Sequence, residues 1–244
     1  MRNYLRRRVY NESLVEQMLS DVQAVVFDLD GTLLDRRRSF EQFVRDQWQR
    51  FAHFLKAVER EQYVQTLIEV DRDGYGPRKE LFTGIIAQFE LPSALAETLL
   101  DDYRAGFPSA CSLFPDVPRT LSSLRVSGLK LGLITNGSVR MQSAKLACLA
   151  LSPMFDTILI SDAEGISKPK RQIFERALER LNVTPAHAVF VGDHPEVDVA
   201  GARAAGMRAI WRRDPSVSRV VEADAVIEEL GDLLPLLRLE QKRI

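Results

Sequence analysis

The sequence predicts an α/β fold in which a parallel sheet carries an inserted block of helices. Two observations lead to this prediction. From residue 116 onward, short apolar runs alternate with amphipathic segments, as strands and helices do in a parallel sheet with crossover helices. Before that, apolar residues recur at three- and four-residue steps, with Gly- and Pro-containing breaks and without a strand-like run. We therefore expect a core formed by residues 1–35 and 112–244 and an all-helical domain over residues 36–111.

Composition limits the class of protein. A length of 244 residues, 45% of them hydrophobic, is enough for a large globular core with an inserted module. The formal net charge of −1 excludes a general attraction to nucleic acid or anionic membranes. Two distant cysteines argue against a zinc site or a disulfide framework and are typical of a reducing compartment. No apolar run reaches membrane-spanning length, and we expect a cytoplasmic protein.

The first strand is predicted at Ala24–Phe27, a short apolar run rich in β-branched residues. It leads directly into Asp28-Leu29-Asp30-Gly31-Thr32. Side chains two positions apart on a strand project to the same side, so Asp28 and Asp30 are expected to face one crevice. Two carboxylates that close repel each other, and a divalent cation would relieve the repulsion. Hard oxygen ligands suit Mg²⁺. The alternative is a strand end whose carboxylates only cap the next turn.

The helical block and the later elements follow from periodicity and from breakers. An amphipathic helix is predicted from Phe40 toward Val58, and Asp116 is expected to cap a helix that Gly128 ends. Further helices are predicted at Arg60–Asp71, Lys79–Phe89, Ala94–Tyr103, Ser138–Leu149, Lys170–Leu181 and Pro195–Ala205. Further strands are predicted at Lys130–Thr135, Thr157–Ile160, Ala188–Val191, Met207–Trp211 and Ala225–Ile227.

Polar clusters follow three of these strands, at the sheet edge where parallel α/β folds place their chemistry. Thr135-Asn136-Gly137 offers a hydroxyl and backbone N–H groups before a helix, which is an anion cradle or an ordinary turn. Lys168, fixed by the proline after it, supplies a point cation suited to a phosphate oxygen, or is a surface lysine. Asp193 ends a strand as Asp28 does. Asp198 lies in the following helix and could be a dipole partner only.

Together, these four clusters resemble the four motifs of the haloacid dehalogenase (HAD) superfamily, in the superfamily's order and at strand ends. The match includes the spacing from Asp193 to Asp198 and the run that follows, and it extends over Val25–Trp211. The resemblance implies a Rossmann-like sheet with helices on both faces. It also implies that the helical block over residues 36–111 is a C1-type cap domain.

The resemblance further implies a role for each acidic residue. Asp28 would be the nucleophile that forms an aspartyl-phosphate, and Asp30 the general acid and then the general base. Mg²⁺ would be held by the Asp28 carboxylate, the Asp30 backbone carbonyl and Asp193. Asp198 would act in the second shell, on a metal-bound water or on Lys168.

Phosphate and substrate contacts are implied by the same resemblance. Thr135, the N–H groups that follow it at Asn136, and Lys168 would bind the oxygens of the transferring phosphoryl group. The Gly-rich loop in the middle of the cap corresponds to a segment that dips toward the substrate in C1-capped members. Arg72 and Tyr75 are the candidates there for gripping the leaving group. An exposed connection between helices is the alternative.

These inferences converge on a Mg²⁺-dependent phosphatase acting on a small phosphorylated metabolite. Gln142 and Lys145, together with Thr135-Asn136-Gly137, resemble the branch that contains nucleotide and sugar-phosphate phosphatases, and phosphoglycolate phosphatases share the plan. An L-2-haloacid dehalogenase is one alternative, although such enzymes lack the acid that Asp30 supplies. A phosphomutase is a second alternative. A non-catalytic protein that binds a partner through Arg6–Arg8 is a third. We expect a monomer or homodimer with no nucleic-acid or membrane partner.

Overall fold

The computed structural model describes residues 19, 21–74, 76, 78–214 and 221–239. The basic segment Arg6–Arg8 lies outside the described residues. Within them, the contacts divide the chain into two compact units, one composed of described residues of Met1–Leu33, Leu113–Gln142 and Ala150–Ile244, the other of Leu34–Ser112 and Ser143–Leu149. No described helix is both long and apolar enough to cross a membrane.

The first unit is built on a parallel sheet, which confirms the predicted fold class. Six described strands lie in the order β3-β2-β1-β4-β5-β6, and every neighbouring pair is parallel. The strands are β1 (Ala24–Phe27), β2 (Lys130–Thr135), β3 (Thr157–Ile160), β4 (Ala188–Gly192), β5 (Arg208–Arg212) and β6 (Ala225–Ile227). Four of the six have the predicted bounds, β4 ends one residue later than predicted, and β5 both begins and ends one residue later.

The central strand β1 is buried throughout because it is covered on both faces as well as paired on both sides. Its residue Val25 pairs with Leu131 of β2 and with Val189 of β4. All four β1 residues are fully buried, which explains why the strand is an unbroken apolar run and not an alternating one. The register therefore brings the carboxyl ends of β1, β2 and β4 to the same edge.

Helices of this unit bury the faces that periodicity predicted. The helix Arg171–Leu181 packs Ile173, Phe174, Ala177, Leu178 and Leu181 into the core, and Phe174 meets Phe190 of β4 edge to face with ring centroids 5.1 Å apart. The other described α-helices of the unit include Val117–Val126, Ser161–Glu164, Gly201–Ala204 and Leu233–Leu236. The helix Val139–Cys148 follows β2, close to its predicted bounds.

The second unit is helical and has an aromatic core. Phe40, Phe43, Tyr103 and Phe107 are buried, with ring centroids between 5.0 and 6.2 Å for the pairs they form. The pairs that include Phe40 or Phe43 meet edge to face and Tyr103 stacks on Phe107, and both arrangements add to the stabilisation from buried area. The described α-helices that lie wholly in this unit are Arg36–Arg50, Ala52–Leu55, Arg60–Asp71, Arg78–Gln88 and Leu95–Ala110, so the first predicted helix is interrupted at Phe51.

Two local predictions need correction. Asp116 does not cap the helix Val117–Val126 with its side chain; its Oδ2 instead accepts a hydrogen bond from the backbone N–H of Gly231 at 2.8 Å. The acidic side chain thus connects the start of the helix to the short 3₁₀ helix Leu230–Asp232. The predicted helix after β4 begins as a π-helix over Pro195–Ala200 and continues as an α-helix only at Gly201–Ala204.

Candidate active site

The candidate site is formed by residues that follow or end β1, β2 and β4. Asp28 follows β1, Thr135 ends β2, and Asp193 follows β4. The backbone N–H of Asp28 donates to the carbonyl of Val191 at 3.0 Å, so the pairing of β1 with β4 continues to the edge of the site. All these residues belong to the sheet-containing unit.

A buried lysine joins two of the aspartates. Lys168 Nζ donates to Asp28 Oδ1 at 2.6 Å and to Asp198 Oδ1 at 2.7 Å. All three residues are less than a tenth exposed, and charge-assisted hydrogen bonds are strong in such surroundings. Burial alone would lower the pKa of Lys168, but the charges of Asp198 and Asp28 raise it above its ordinary value. The lysine is therefore a fixed ammonium ion beside the predicted nucleophile.

Three carboxylates, two of them buried and that of Asp193 half-buried, lie close enough to share one cation. Asp28, Asp193 and Asp198 each offer an oxygen, and these oxygens lie within 4.8 Å of one another. Burial raises the pKa of Asp28 to about 7 despite the nearby lysine, and the charges of Asp198 and Asp30 add to the effect. Burial and the charge of Asp28 also raise the pKa of Asp193 well above its ordinary value. An all-oxygen donor set with excess negative charge fits a hard divalent cation.

The resemblance to the HAD superfamily implied that the Asp28 carboxylate, the Asp30 backbone carbonyl and Asp193 hold the metal and that Asp198 acts behind them. The structure brings Asp198 into the carboxylate group while the same residue holds Lys168. The metal-ligand role of the Asp30 backbone carbonyl stays a prediction.

Thr32 and Trp211, to which the sequence assigned no role, hold Asp193 in place. Thr32 Oγ1 donates to Asp193 Oδ1 at 3.2 Å, and Trp211 Nε1 donates to the Asp193 carbonyl at 2.8 Å. A Cβ atom on Gly31, which has a φ of +91°, would lie 2.4 Å from Asp193 Oδ2. Gly31 is thus needed both for its backbone conformation and for the close approach of this carboxylate. Arg212 donates to the Gly31 carbonyl at 2.8 Å and supports the same turn.

The π-helix after β4 orients Asp198. His194 precedes it, and its Nδ1 accepts hydrogen bonds from the backbone N–H groups of Glu196 and Val197. The backbone N–H of His194 in turn donates to Asp198 Oδ2 at 3.0 Å, leaving Oδ1 to hold the lysine. Gly192 permits this arrangement, because a Cβ atom there would lie 2.4 Å from the Cβ of Asp198.

Asn136 holds the backbone of the lysine. Its Nδ2 donates to the Lys168 carbonyl at 3.0 Å, and its Oδ1 accepts from the Lys168 N–H at 3.0 Å. The Asn136 side chain thus positions Lys168, while phosphate binding by the backbone N–H groups at this loop stays a prediction. These two hydrogen bonds connect residues 32 positions apart, which no local pattern reveals.

Gln142 connects Asp30 with Thr135. Its Nε2 donates to Asp30 Oδ2 at 2.8 Å and also to Thr135 Oγ1. Both Thr135 and Gln142 are buried. The predicted acid and the predicted phosphate-binding hydroxyl are therefore held by one amide group.

Comparison with known proteins identifies the family. The model of the haloacid dehalogenase-like hydrolase family matches residues 22–206. The chain is a haloacid dehalogenase-like hydrolase. The prediction drawn from the four motifs is thereby confirmed at the level of the family.

Three similar proteins place this HAD-like hydrolase among its relatives. A glyceraldehyde 3-phosphate phosphatase of Pyrococcus furiosus is 29% identical over 228 residues, which cover 90% of this chain and 94% of the relative. The crystal structure of a HAD phosphatase from Thermococcus onnurineus is similar with a TM-score of 0.64 and 30% identity, over 90% of this chain and all of the other. A 2-haloacid dehalogenase from Pseudomonas syringae pv. Tomato has a TM-score of 0.57 and 30% identity, over 89% and 98% of the two chains.

Of the two predicted specificity residues of this HAD-like hydrolase, Arg72 lies in the helical unit. Arg72 is exposed and adopts a left-handed backbone with a φ of 48°, while Tyr75 lies outside the described residues. The loop start is anchored by a buried ion pair, in which Arg36 donates to both carboxylate oxygens of Asp71 at 2.5 and 3.0 Å. Gly74 packs against this pair, since a Cβ atom there would lie 2.6 Å from Arg36 Nε. Contact of Arg72 and Tyr75 with substrate stays a prediction.

Proposed function

We propose that this HAD-like hydrolase is a Mg²⁺-dependent phosphatase that cleaves a small phosphate monoester through an aspartyl-phosphate at Asp28. The observation that carries the proposal is the position of Lys168 Nζ between Asp28 and Asp198, with Asp193 beside them. A carboxylate that must attack an anionic phosphoryl group needs positive charge nearby to offset the repulsion. The fixed ammonium ion supplies part of that charge, and a divalent cation held by the carboxylate cluster would supply the rest.

In the first step, an oxygen of the Asp28 carboxylate attacks phosphorus and the bond from phosphorus to the leaving oxygen breaks. Asp30, in its acid form, gives its proton to that oxygen, so an alcohol departs. Lys168 and the Thr135 hydroxyl donate to oxygens of the transferring group, where charge is greatest in the transition state.

In the second step, a water molecule attacks the phosphorus of the aspartyl-phosphate. The Asp30 carboxylate takes a proton from that water, the bond from phosphorus to the Asp28 oxygen breaks, and inorganic phosphate leaves. Asp28, Asp193 and the Asp30 carbonyl would hold Mg²⁺, with Asp198 beside them. The ion would supply charge neutralisation for the phosphoryl group.

The similarity to a 2-haloacid dehalogenase makes halide displacement the second candidate. The presence of Asp30, with its Oδ2 held by Gln142 at 2.8 Å, favours the phosphatase. An alkoxide leaving group needs a proton and a halide does not, so a dehalogenase would have no use for an acid at this position. A phosphomutase stays an alternative that no feature of the described residues favours.

The substrate class follows from the relatives and from the charge of the chain. The Pyrococcus furiosus relative is named for glyceraldehyde 3-phosphate, a small phosphorylated metabolite. We propose a substrate of similar size and no nucleic-acid partner, because the net charge is −1. A cytoplasmic monomer or homodimer completes the proposal.

The test is hydrolysis of p-nitrophenyl phosphate by purified protein with Mg²⁺ and with EDTA, followed by a panel of monoesters that includes glyceraldehyde 3-phosphate. We expect turnover only with the metal, and its loss in Asp28→Asn, since an amide cannot serve as the nucleophile. Halide release from L-2-chloropropionate is measured in parallel. Wild-type rates in Asp28→Asn, or halide release without phosphatase activity, would refute the proposal.

A further inference from the structure

Gln142 has no part in the two steps above, yet its amide group contacts two of the residues that do. It lies on the helix Val139–Cys148, which follows β2, and is 2% exposed. Its Nε2 donates to Asp30 Oδ2 at 2.8 Å and to Thr135 Oγ1, residues that are 112 and 7 positions away in the chain. One buried amide nitrogen therefore bridges the predicted general acid and the predicted phosphate-binding hydroxyl.

The chemistry of these groups fixes the direction of both hydrogen bonds. A primary amide nitrogen carries two hydrogens and cannot accept, so Asp30 Oδ2 accepts whether or not the other oxygen of its carboxyl group carries a proton. A threonine hydroxyl can accept while its single hydrogen is donated elsewhere. When Gln142 donates to Thr135 Oγ1, the Thr135 hydrogen is available for a phosphoryl oxygen and is not used on the amide.

We propose that Gln142 is a positioning residue of the active site. Its amide fixes the rotation of the Asp30 carboxyl group and makes the Thr135 hydroxyl a donor toward the phosphoryl group. This inference rests on the proposed phosphatase function, in which Asp30 protonates the leaving oxygen and Thr135 binds the transferring group.

The amide itself is held in place. Gly137 has a φ of +141°, and a Cβ atom there would lie 3.1 Å from Gln142 Cγ and 3.2 Å from its Cδ. The backbone at Gly137 therefore closes over the glutamine side chain. Asp30 is only partly buried, so its hydrogen bond with Gln142 Nε2 helps to set which way its carboxyl group faces.

The two effects of Gln142 differ in how they depend on the leaving group. Misplacing Asp30 weakens proton donation, which matters most for a poor leaving group and hardly at all for a good one. Misdirecting Thr135 weakens binding of the phosphoryl group, which every monoester shares. Loss of Gln142 should therefore lower kcat/KM for all esters and lower it further as the pKa of the leaving alcohol rises.

The test measures kcat/KM for 2,4-dinitrophenyl, p-nitrophenyl, phenyl and alkyl phosphates with saturating Mg²⁺. Gln142→Met keeps the length of the side chain and removes its donors. We expect the kcat/KM of Gln142→Met to fall by a factor about tenfold or more larger on the alkyl ester than on the dinitrophenyl ester. The kcat/KM of Thr135→Val should fall by about the same factor on all esters. The kcat/KM of Asp30→Asn should depend most steeply on the pKa of the leaving alcohol. Adding Gln142→Met to Asp30→Asn should not steepen that dependence further.

Gln47→Met is the matched control for a loss of stability. Gln47 is also a buried glutamine, and its Nε2 donates to the Leu99 carbonyl at 3.0 Å and to Asp102 Oδ2 at 2.9 Å. It lies in the helical unit, and we expect a lower Tm with an unchanged dependence on the leaving group. If the wild-type enzyme is active and the kcat/KM of Gln142→Met depends on the pKa of the leaving alcohol just as that of the wild type does, the positioning role alone is overturned. A wild-type protein inactive on every ester would overturn the phosphatase proposal and this role with it.

Discussion

Removing the positive charge at Lys168 should destabilise the protein as well as inactivate it. Lys168→Met leaves Asp28 and Asp198, whose carboxylates lie 2.6 and 2.7 Å from Nζ, without their common partner. The side chains of Lys168 and Asp198 are each 2% exposed and that of Asp28 is 9% exposed, so water cannot replace the lost ion pairs. Breaking a buried ion pair by removing one partner costs about 3–5 kcal/mol. We expect a loss of this size in the free energy of unfolding.

The second half of the prediction is that the loss is not additive. Asp198→Asn alone removes a partner of the lysine, but in the Lys168→Met background it removes an unpaired buried charge. The double variant should therefore lose less unfolding free energy than the two single variants lose in sum, with a coupling energy of about 1–3 kcal/mol.

Urea denaturation at pH 7.5 in EDTA measures these free energies. The chain has two tryptophans, and in a Trp48→Phe background the fluorescence of Trp211 reports on the sheet-containing unit. Trp211 is a suitable reporter because its Nε1 donates to the Asp193 carbonyl at 2.8 Å. All variants of the cycle are made in that background. Additive losses, or a loss below about 1 kcal/mol in Lys168→Met, would refute the reasoning that the ion pairs are buried and coupled.

Two further predictions concern pH and substrate. Because the folded pKa of Asp28 is raised from 3.8 to about 7, its acid form contributes stability that is complete below pH 3.8 and lost as pH rises through 7. The Tm in EDTA should therefore fall between pH 5 and 8, and the fall should disappear with saturating Mg²⁺; a pH-independent Tm in EDTA contradicts this. Arg72→Ala and Tyr75→Ala should lower kcat/KM on the natural monoester by about ten- to a hundredfold, roughly 1.4–2.7 kcal/mol, and barely affect p-nitrophenyl phosphate. Equal losses on both esters would point to damaged folding instead.

The strands and the order of the site residues were predictable because their signals are local. A strand buried on both faces has to be apolar at every position, so Ala24–Phe27 stands out without any knowledge of its neighbours. Parallel topology then brings Asp28, Thr135 and Asp193 to one edge, whatever the lengths of the intervening helices.

What the sequence could not reveal are contacts between residues far apart in the chain. Gln142 reaches Asp30 over 112 positions, and Asn136 reaches the backbone of Lys168 over 32. Periodicity identifies the face of a helix but not the atom that a polar side chain on that face will meet. Asp116 is a further example. It stands at the N-cap position of its helix, but its side chain accepts a hydrogen bond from the distant Gly231 N–H and none from the helix.

The π-helix after β4 makes the spacing of the site depend on chain length as well as on residue type. The His194 carbonyl accepts from the N–H of Asp198 at 3.0 Å and from that of Val199 at 3.2 Å, so the turn accommodates one residue more than an α-helical turn. Deleting one residue from Pro195–Ala200 would let the segment close as an ordinary α-helix. Every later side chain would then rotate by about 100°, one residue's share of a turn of 3.6. An insertion or deletion that falls before Asp198 and spares Glu196 would therefore move Asp198 away from Lys168 although every acidic residue was retained. A sequence alignment that matches residue types but ignores this length would not show the loss.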